Sequence, residues 1–319
     1  MSDTEPADRP SRRRLAALAM LIIGAWSWLG FRLLGNVGQI LAVVGPALYA
    51  LAILVLAFAL VRRRHAGTAV ALVVWLVAGA LMVIAPRVPR KTASPRNPLT
   101  IVAANLHFQN RTPEAAARAV VARHADVVVV SEGTRRSEPV ITRAYPYHAS
   151  SPPHRDGYSE FVASRFPLRT RAVPSVLGQA VVVEVWAPSP FVLVAVHLPR
   201  PGIGLPLLPG HFSFAAQARA VRAVRSVTND AELPVVVAGD LNVSDRTATY
   251  AHLVAHRRDA MRAGWAGSTF RPFPFDLLVL RIDHVIIDRA WCAARPHRFH
   301  PAGSDHEAVQ VAIGPCPGT

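Results

Sequence analysis

The chain has 319 residues, of which 51% are hydrophobic and 17% are charged, and its mean hydropathy is +0.27. This composition excludes an intrinsically disordered chain, which combines low hydrophobicity with high charge. The two cysteines exclude a disulfide-rich scaffold and a four-cysteine zinc site. The net charge of +15 comes almost wholly from arginine, since Lys91 is the only lysine. Such a charge suits an anionic ligand or an ordinary solvated surface.

Three long apolar runs occupy the first third of the chain. Residues 15–31, 39–61 and 66–85 contain no charged side chain, and a membrane-spanning helix needs about 20 apolar residues, with about 17 as the minimum. A cleaved signal peptide explains the first run less well, because no A-x-A site follows it and two further runs do. The pattern predicts an N-terminal tail at 1–14 and a three-span transmembrane anchor at 15–86.

Arginine clusters predict the orientation of this anchor. Residues 12–14 and 62–64 are all arginine, whereas the loop between the first two runs carries only Arg32. Because positively charged loops stay in the cytoplasm, we expect a multi-pass cell-membrane protein with a cytoplasmic tail and with everything after residue 86 on the extracytoplasmic side. The basic residues of 87–98 oppose this orientation unless they lie on anionic headgroups. The prolines of the same segment predict a stiff linker.

The rest of the chain, residues 99–319, is predicted to be one α/β domain. Short valine-rich runs bounded by Pro, Gly or Asp recur there, and such runs are typical of buried strands. Helices are predicted at 113–124, 213–228 and 246–256, and the segment is long enough to bury one substantial core. The eight apolar runs are 99–105, 126–132, 158–164, 180–186, 191–197, 234–240, 282–288 and 307–313.

Polar side chains recur where these apolar runs begin or end. In α/β folds such positions carry the functional site, because rigid strands fix the side chains that they present. Carboxylates, amides and histidines collected there suit a hard divalent cation and an activated water molecule. Taken singly, an Asp or Asn at such a place is more often a turn or helix cap. The residues concerned are Asn105, Glu132, His197, Asp240, Asn242, Asp283, Asp305 and His306.

The order of these residues resembles the endonuclease/exonuclease/phosphatase superfamily, the DNase I-like group of nucleases and phosphatases. The resemblance covers residues 99–319 and implies an α/β four-layer sandwich, with two mixed β-sheets face to face and flanked by helices. This sequence departs from the family pattern at Ser131, where glutamine is usual, and at Leu106 with His107, where a polar or acidic residue often helps the metal. The matching motifs are Asn105, Glu132, 164–167, His197, 239–242, 269–270, 281–284 and 304–306.

The resemblance also implies a role for each residue around Mg²⁺ or Mn²⁺. In-line displacement at phosphorus needs charge neutralisation and a positioned water. His306 would be oriented by Asp283, as in other carboxylate–imidazole pairs, and either Asp240 or His306 would be the general base. The residues that would hold the cation are Asn105, Glu132 and Asp305. Those that would act on water and phosphate are His197, Asp240, Asn242, Asp283 and His306.

Three functions fit these features. The first is hydrolysis of a lipid-linked phosphate or pyrophosphate at the outer face of the membrane, since the chain resembles the membrane-anchored family members that are associated with teicoplanin resistance and act on undecaprenyl pyrophosphate. The second is an extracytoplasmic nuclease, which should show a basic groove with stacking aromatics, although aromatic residues make up only 7% of the chain. The third, a binding module without catalysis, does not need the complete polar set.

An apolar loop after His197 bears on this choice. It contains Ile203, Leu205, Leu207, Leu208 and Phe212, and a second apolar stretch precedes Asp283. These segments would contact the acyl or prenyl chain of a lipid substrate, or they would be ordinary packing elements.

The two cysteines leave another alternative open. Cys292 and Cys316 would pair in an oxidising compartment if their Cα atoms lie within about 7 Å, and otherwise they are two free thiols.

Overall fold

The computed structural model describes residues 35–63, 66–83, 88–203, 212–264, 266–270 and 280–318. The chain divides into two compact units, Met1–Pro86 and Arg87–Thr319.

The described part of the first unit contains two helices, α1 (Gly35–Arg63) and α2 (Ala66–Val83). They coincide with the second and third apolar runs, while the first run, 15–31, lies outside the described residues. Tyr49 and Trp75 pack between the helices with ring centroids 4.8 Å apart, and apolar side chains such as Leu54 and Phe58 are exposed. The described residues yield no helix with both the length and the apolarity of a membrane span, so the three predicted spans are not confirmed.

The second unit contains fourteen strands in its described part. In chain order they are β1 (Leu99–Asn105), β2 (Val127–Thr134), β3 (Tyr147–Ser150), β4 (Tyr158–Ser164), β5 (Leu168–Thr170), β6 (Val181–Val185), β7 (Phe191–Ala195), β8 (Gly202–Ile203), β9 (Phe212–Ser213), β10 (Val235–Asp240), β11 (Arg257–Asp259), β12 (Asp283–Asp288), β13 (Trp291–Phe299) and β14 (Ala308–Pro315). The helices of this unit are α3 (Pro113–Val121), α4 (Glu138–Thr142), α5 (Ala215–Asn229) and α6 (Ala248–Leu253).

Twelve of these strands form two mixed six-stranded sheets. The first has the order β13-β14-β1-β2-β4-β3 and the second the order β11-β12-β10-β7-β6-β5, while β8 and β9 form a separate ribbon. Each sheet has one central parallel pair, β1 with β2 and β7 with β10, and its other neighbours are antiparallel. The carboxyl ends of each parallel pair therefore lie at the same edge of their sheet.

The valine-rich runs are buried on both faces. In β2, Val127 and Val129 face the layer between the two sheets, whereas Val128 and Val130 pack outward against α3 and α4. The two-residue period of a strand sends successive side chains to opposite faces, so a continuous run of valine is expected where both faces are covered. The outer face of the second sheet is covered by α5 and α6. The predicted four-layer α/β sandwich of two mixed sheets between helices is confirmed.

The helices are close to the predicted segments but differ at their ends. The helix predicted at 113–124 ends at Val121, and the one predicted at 246–256 is the shorter α6. The hydroxyl group of Thr247 accepts a hydrogen bond from the backbone N–H of Tyr250 and caps that helix. Residues 254–256, the last part of the predicted helix, form a turn that leads into β11.

Residues 88–98 lie on the second unit. The hydroxyl of Thr92 donates to the carbonyl of Ala293 at 2.9 Å and accepts from the N–H of the same residue at 3.0 Å. The N–H of Arg96 donates to the carbonyl of Pro315 at 2.8 Å. The segment predicted as a linker is thus held along β13 and the end of β14.

Cys292 and Cys316 form a disulfide, with their Cα atoms 4.9 Å apart. The bond joins β13 to the residue that follows β14, so it fastens the end of the chain to an edge strand. Of the two alternatives for these cysteines, the structure contains the paired one.

Candidate active site

Most of the side chains predicted for the site meet where strands of both sheets begin or end. β1 ends at Asn105, β2 carries Glu132 and β10 ends at Asp240. Asp283 opens β12 directly opposite Asp240 in the antiparallel register, and His306 precedes β14 by two residues. The parallel strands end, and their antiparallel neighbours begin, at this common edge.

Asn105 connects the two sheets. Its side-chain Nδ2 donates to Oε1 of Glu132 at 3.1 Å and to Oδ2 of Asp240 at 3.0 Å. Its Oδ1 accepts from the N–H of His107 at 2.9 Å. Asn105 therefore holds two buried carboxylates at a fixed separation, and it presents its nitrogen rather than its oxygen to the site.

His306 and Asp283 form a buried pair. Nδ1 of His306 lies 2.8 Å from Oδ2 of Asp283, and Nε2 of His306 lies 3.7 Å from Oδ2 of Asp240. Burial opposes the charged imidazole, but the negative charges of Asp283 and Asp240 outweigh it and raise the pKa of His306 to about 10. The hydroxyl of Thr269 accepts from the N–H of Asp283 at 3.0 Å, which fixes the start of β12. His306 is thus held with its second nitrogen turned toward Asp240.

His197 faces three carboxylates. Its Nδ1 lies 3.3 Å from Oε1 of Glu160, and its Nε2 lies 3.6 Å from Asp240 and 3.7 Å from Glu132. Burial again opposes the charge, but the hydrogen bond and charge of Glu160, with those of Asp240 and Glu132, raise the pKa of His197 to about 9. Sequence reasoning missed Glu160; the available signal was a lone acid inside the apolar run 158–164.

Left-handed backbone occurs at two of the predicted residues. Glu132 has φ of 57° and Asn242 has φ of 51°, a region that non-glycine residues seldom occupy and that is enriched at functional sites. Glu132 lies where the β2–β4 register shifts, so the irregularity turns its side chain into the site. Gly239 has φ of 131°, and a Cβ there would overlap the carbonyl oxygen of Val196. That glycine lets β10 pass close to the backbone that leads into His197.

Asn242 and Asp305 take different places from the main cluster. The backbone N–H of Asn242 donates to Oδ1 of Asp240 at 2.9 Å, while its side chain donates to the carbonyl of Leu198. Asn242 therefore orients Asp240 through its backbone. Asp305 faces Nδ1 of His107 at 3.3 Å and is not among the acids and histidines that converge in the described part of the chain.

A divalent cation fits the chemistry of the cluster. The carboxylates of Glu132, Glu160, Asp240 and Asp283 are each 1% exposed, and hard divalent cations prefer carboxylate oxygens. Oδ1 of Asp283 is buried without a hydrogen-bond partner. Potential ligand atoms of Asp240, Asp283 and His306 lie within 4.8 Å of one another. These three residues form a candidate metal site, and their chemistry does not distinguish Mg²⁺ from Mn²⁺.

A cleft of about 430 Å³ opens beside Glu132 and His197. Its wall contains three neighbouring rings: the ring centroid of Tyr158 lies 5.3 Å from that of Phe108 and 4.6 Å from that of His154, on which Tyr158 stacks. Burial, with the nearby negative charges of Glu132 and Glu160, raises the pKa of Tyr158 to about 12. Sequence reasoning missed these side chains because they come from separate loops and strands.

Buried acids, two imidazoles and a bridging amide between two mixed sheets define the catalytic edge of a hydrolase that acts at phosphorus. The profile of the Endonuclease/Exonuclease/phosphatase family matches residues 102–306, and the chain belongs to this family. The activities that name the family all hydrolyse phosphoester bonds, and this chain is a metal-dependent phosphoester hydrolase of that kind. A comparison with curated proteins gives no match.

Solved structures with the same fold come from distant organisms. One is the endonuclease/exonuclease/phosphatase from Beutenbergia cavernae DSM 12333, with 20% identity, 69% of this chain and 72% of that chain covered, and a TM-score of 0.53. Another is D. rerio TDP2 humanized by 14 mutations, with 15% identity, 69% and 100% covered, and a TM-score of 0.54. A third is the mannosyl-6-phosphatase of Bacteroides thetaiotaomicron, with 16% identity, 67% and 99% covered, and a TM-score of 0.50. At these identities the likeness shows the fold.

Proposed function

We propose that this phosphohydrolase acts on a phosphate or pyrophosphate carried by a lipid, at the outer face of the cell membrane. The observation that carries the chemistry is the joint placement of His306, His197 and Asp240 at one edge. Asp240 is held by Asn105 and by the N–H of Asn242, which leaves it positioned to orient a water. The two imidazoles turn N–H groups toward the same point, where they would donate to phosphate oxygens as charge develops.

A bound divalent cation would supply charge neutralisation at the phosphate. The residues available to hold the cation are of two kinds. One is Glu132, whose Oε1 lies 3.1 Å from Nδ2 of Asn105. The other is the converging group of Asp240, Asp283 and His306. Since His306 already contacts Asp283 through Nδ1, we propose that Glu132 and Asp240 hold the cation and that Asp283 serves His306. The further predicted ligand, Asp305, would join only from its place beside His107.

Arg200 supports a substrate with two phosphates. Its guanidinium donates to Oε1 of Glu132 at 3.2 Å, although the side chain is 60% exposed. An exposed arginine can turn with little cost, and its planar fork matches phosphate oxygens. With one phosphate at His197 and His306, a second phosphate at the mouth of the cleft would take Arg200 as its partner.

The lipid and membrane parts of the proposal rest on apolar surface. Most of the large apolar side chains that are exposed belong to α1 and α2, including Leu54, Phe58 and Val73, and water-facing patches of this kind mark interaction sites. The apolar loop after His197 lies largely outside the described residues, as do Leu205, Leu207 and Leu208.

Nucleic acid is the second candidate substrate. The series of Phe108, Tyr158 and His154 beside Glu132 offers faces on which a base could stack, and stacking is the usual means of holding single strands. This observation favours a nuclease over a phosphatase for small esters.

Turnover by the full chain in neutral detergent tests these alternatives. The substrates are a polyprenyl pyrophosphate, single-stranded DNA and bis-p-nitrophenyl phosphate, each with Mg²⁺, with Mn²⁺ and with EDTA. We expect EDTA and Asp240→Asn to abolish all activity and the pyrophosphate to have the highest kcat/KM. Faster cleavage of DNA would transfer the proposal to the nuclease.

Two matched variants test the assigned residues. Arg200→Gln should lower kcat/KM for the pyrophosphate about tenfold or more, the worth of one charge-assisted contact, and spare the small diester. Arg118→Gln, which removes the same charge from an exposed position of α3, is the control. Mn²⁺ binding followed by electron paramagnetic resonance should weaken more in Glu132→Gln than in Asp283→Asn; the reverse order would assign the cation to Asp283 and His306.

A further inference from the structure

A second cavity, of about 280 Å³, lies between residues 90–92 and the edge strand β11 with the turn that follows it. It is remote from the catalytic edge. In the β11–β12 strand register, Arg257 lies opposite Asp288 at the far end of β12, whereas Asp283 begins that strand in the active site. Five residues of rise along a strand correspond to about 17 Å. The cavity is therefore distinct from the cleft beside Glu132.

The walls of this cavity are strongly basic and its floor is apolar. Val254, Ala260 and Ile287 form part of the floor. The cationic residues that line it are Arg90, Lys91, Arg257, Arg258 and Arg262. Five cationic side chains around one small cavity repel each other unless an anion lies among them.

The acid beside these cations is already engaged. Asp259 belongs to the described lining, but its Oδ2 accepts from Nη1 of Arg281 at 2.6 Å and from the hydroxyl of Tyr250 at 2.6 Å. Its other oxygen accepts from the N–H of Met261. Asp288, at the end of β12, accepts from the N–H of Ala290 and attracts Arg257 from outside the lining.

The cations are held close together by the backbone. The N–H of Arg90 donates to the carbonyl of Arg262 at 2.5 Å, and the guanidinium of Arg262 donates to the carbonyl of Val88 at 3.3 Å. Burial lowers the pKa of Arg262, and the positive charge of Arg90 lowers it further. Burial also lowers the pKa of Arg257. An anion in the cavity would reverse both effects.

We propose that this cavity binds a phosphate group, either as a lipid headgroup or as free phosphate. Guanidinium groups bind phosphate through paired N–H donors, and the half-buried Arg257 and Arg262 provide two such groups beside the exposed Arg90 and Lys91. The apolar floor would take the uncharged remainder of a phosphate ester. Residues 88–92 carry the chain toward the apolar N-terminal unit, so a bound headgroup would fasten this segment to β11.

The test uses the full chain in neutral detergent and in an Asp240→Asn background, so that neither probe is consumed. The probes are inorganic phosphate and dioctanoyl phosphatidylglycerol, and the readout is the apparent Kd from the ligand-dependent shift in the thermal unfolding temperature. Any binding at the active site contributes equally to all of the variants. We compare Arg257→Gln/Arg262→Gln and the exposed pair Arg90→Gln/Lys91→Gln.

We expect both pairs of substitutions to raise the apparent Kd about tenfold or more, because each removes two charge-assisted contacts. The control Arg118→Gln/Arg143→Gln removes the same charge from exposed positions outside the cavity and should change the Kd less than twofold. Tighter binding of the lipid identifies a headgroup, and equal binding identifies free phosphate. Equal affinities in all three double variants, or no saturable binding, would overturn the proposal. If the Arg257/Arg262 variant does not fold, the exposed pair decides.

Discussion

Replacing Arg281 by methionine should strongly destabilise the catalytic domain. The guanidinium is 1% exposed and donates to Oδ2 of Asp245 at 3.0 Å, to Oδ2 of Asp259 at 2.6 Å and to the hydroxyl of Tyr250 at 3.2 Å. Methionine fills much of the same volume but removes the guanidinium that two buried carboxylates, Asp245 and Asp259, share. Removing one partner of a buried ion pair costs about 3–5 kcal/mol, and the presence of two acids places this site near the upper value.

This loss is large compared with the free energy of unfolding of an ordinary domain, about 5–15 kcal/mol. For a domain of this size, each kcal/mol shifts the unfolding temperature by about 2–4 °C. We therefore expect a decrease of about 10–20 °C for Arg281→Met, measured by circular dichroism and by differential scanning calorimetry at neutral pH. Arg281→Lys keeps the charge but loses the planar group of guanidinium donors, so its unfolding temperature should lie between those of the unsubstituted chain and Arg281→Met.

Arg118→Met, at an exposed position of α3, serves as the matched control and should change the free energy of unfolding by no more than about 0.5 kcal/mol. Adding Asp259→Asn to Arg281→Met should cost less than the sum of the two single changes, because the second removes a charge that the first left unpaired. An Arg281→Met protein that unfolds within about 3 °C of the unsubstituted chain would refute this account of the buried network.

Three further predictions concern the stability of the protein at low pH, the disulfide, and Glu160 beside His197. Burial opposes ionisation of Asp259, but the charge of Arg281 outweighs this effect and holds the pKa of Asp259 well below its usual range. The ionised Asp259 therefore contributes fully to stability above about pH 4, and this contribution should fall progressively at lower pH. Urea unfolding midpoints measured against pH would show the decrease. Changing Cys292 and Cys316 to serine opens a closed loop with a sequence separation of 24, which should cost roughly 3 kcal/mol in guanidinium unfolding, and reduction of the unsubstituted chain should match it. Glu160→Gln should lower kcat with little change in Mn²⁺ affinity, since it removes the partner of His197; an equal loss of metal would make Glu160 a ligand.

The central strands of the fold were predictable from sequence, and the edge strands were not. The eight apolar runs correspond to β1, β2, β4, β6, β7, β10, β12 and β14. Within the two six-stranded sheets, the strands without a predicted run are β3, β5, β11 and β13, and these are the four outer strands; the short ribbon of β8 and β9 was not predicted either. An edge strand is covered on fewer sides, so polar residues such as those of β11 are tolerated. The hydrophobic pattern therefore predicts strands that are buried and does not predict edge strands.

The site residues that could be predicted from sequence are those that lie at the end or the beginning of a strand. Asn105, Glu132 and Asp240 lie at the ends of apolar runs on strands of the parallel pairs. Asp283 lies at the beginning of a run, on the antiparallel strand opposite Asp240. Glu160 lies inside such a run and was passed over, because alternation alone does not tell whether an acid faces a core or a site. The same holds for contacts between distant loops, such as Arg200 with Glu132, which no local pattern encodes.

The two sheets must pack correctly for the site to exist at all. Asn105, at the end of the first sheet, holds Asp240 at the end of the second, and His306, just before β14 of the first, contacts Asp283 of the second. The hydroxyl of Ser304 donates to the backbone carbonyl of Asn105 at 2.8 Å and accepts from the N–H of His306 at 3.0 Å. The spacing of the sheets is set by the apolar layer between them, whose close packing does not adjust freely. Since catalysis is sensitive to displacements of about 1 Å, that layer determines the relative positions of the catalytic groups as well as the stability of the fold.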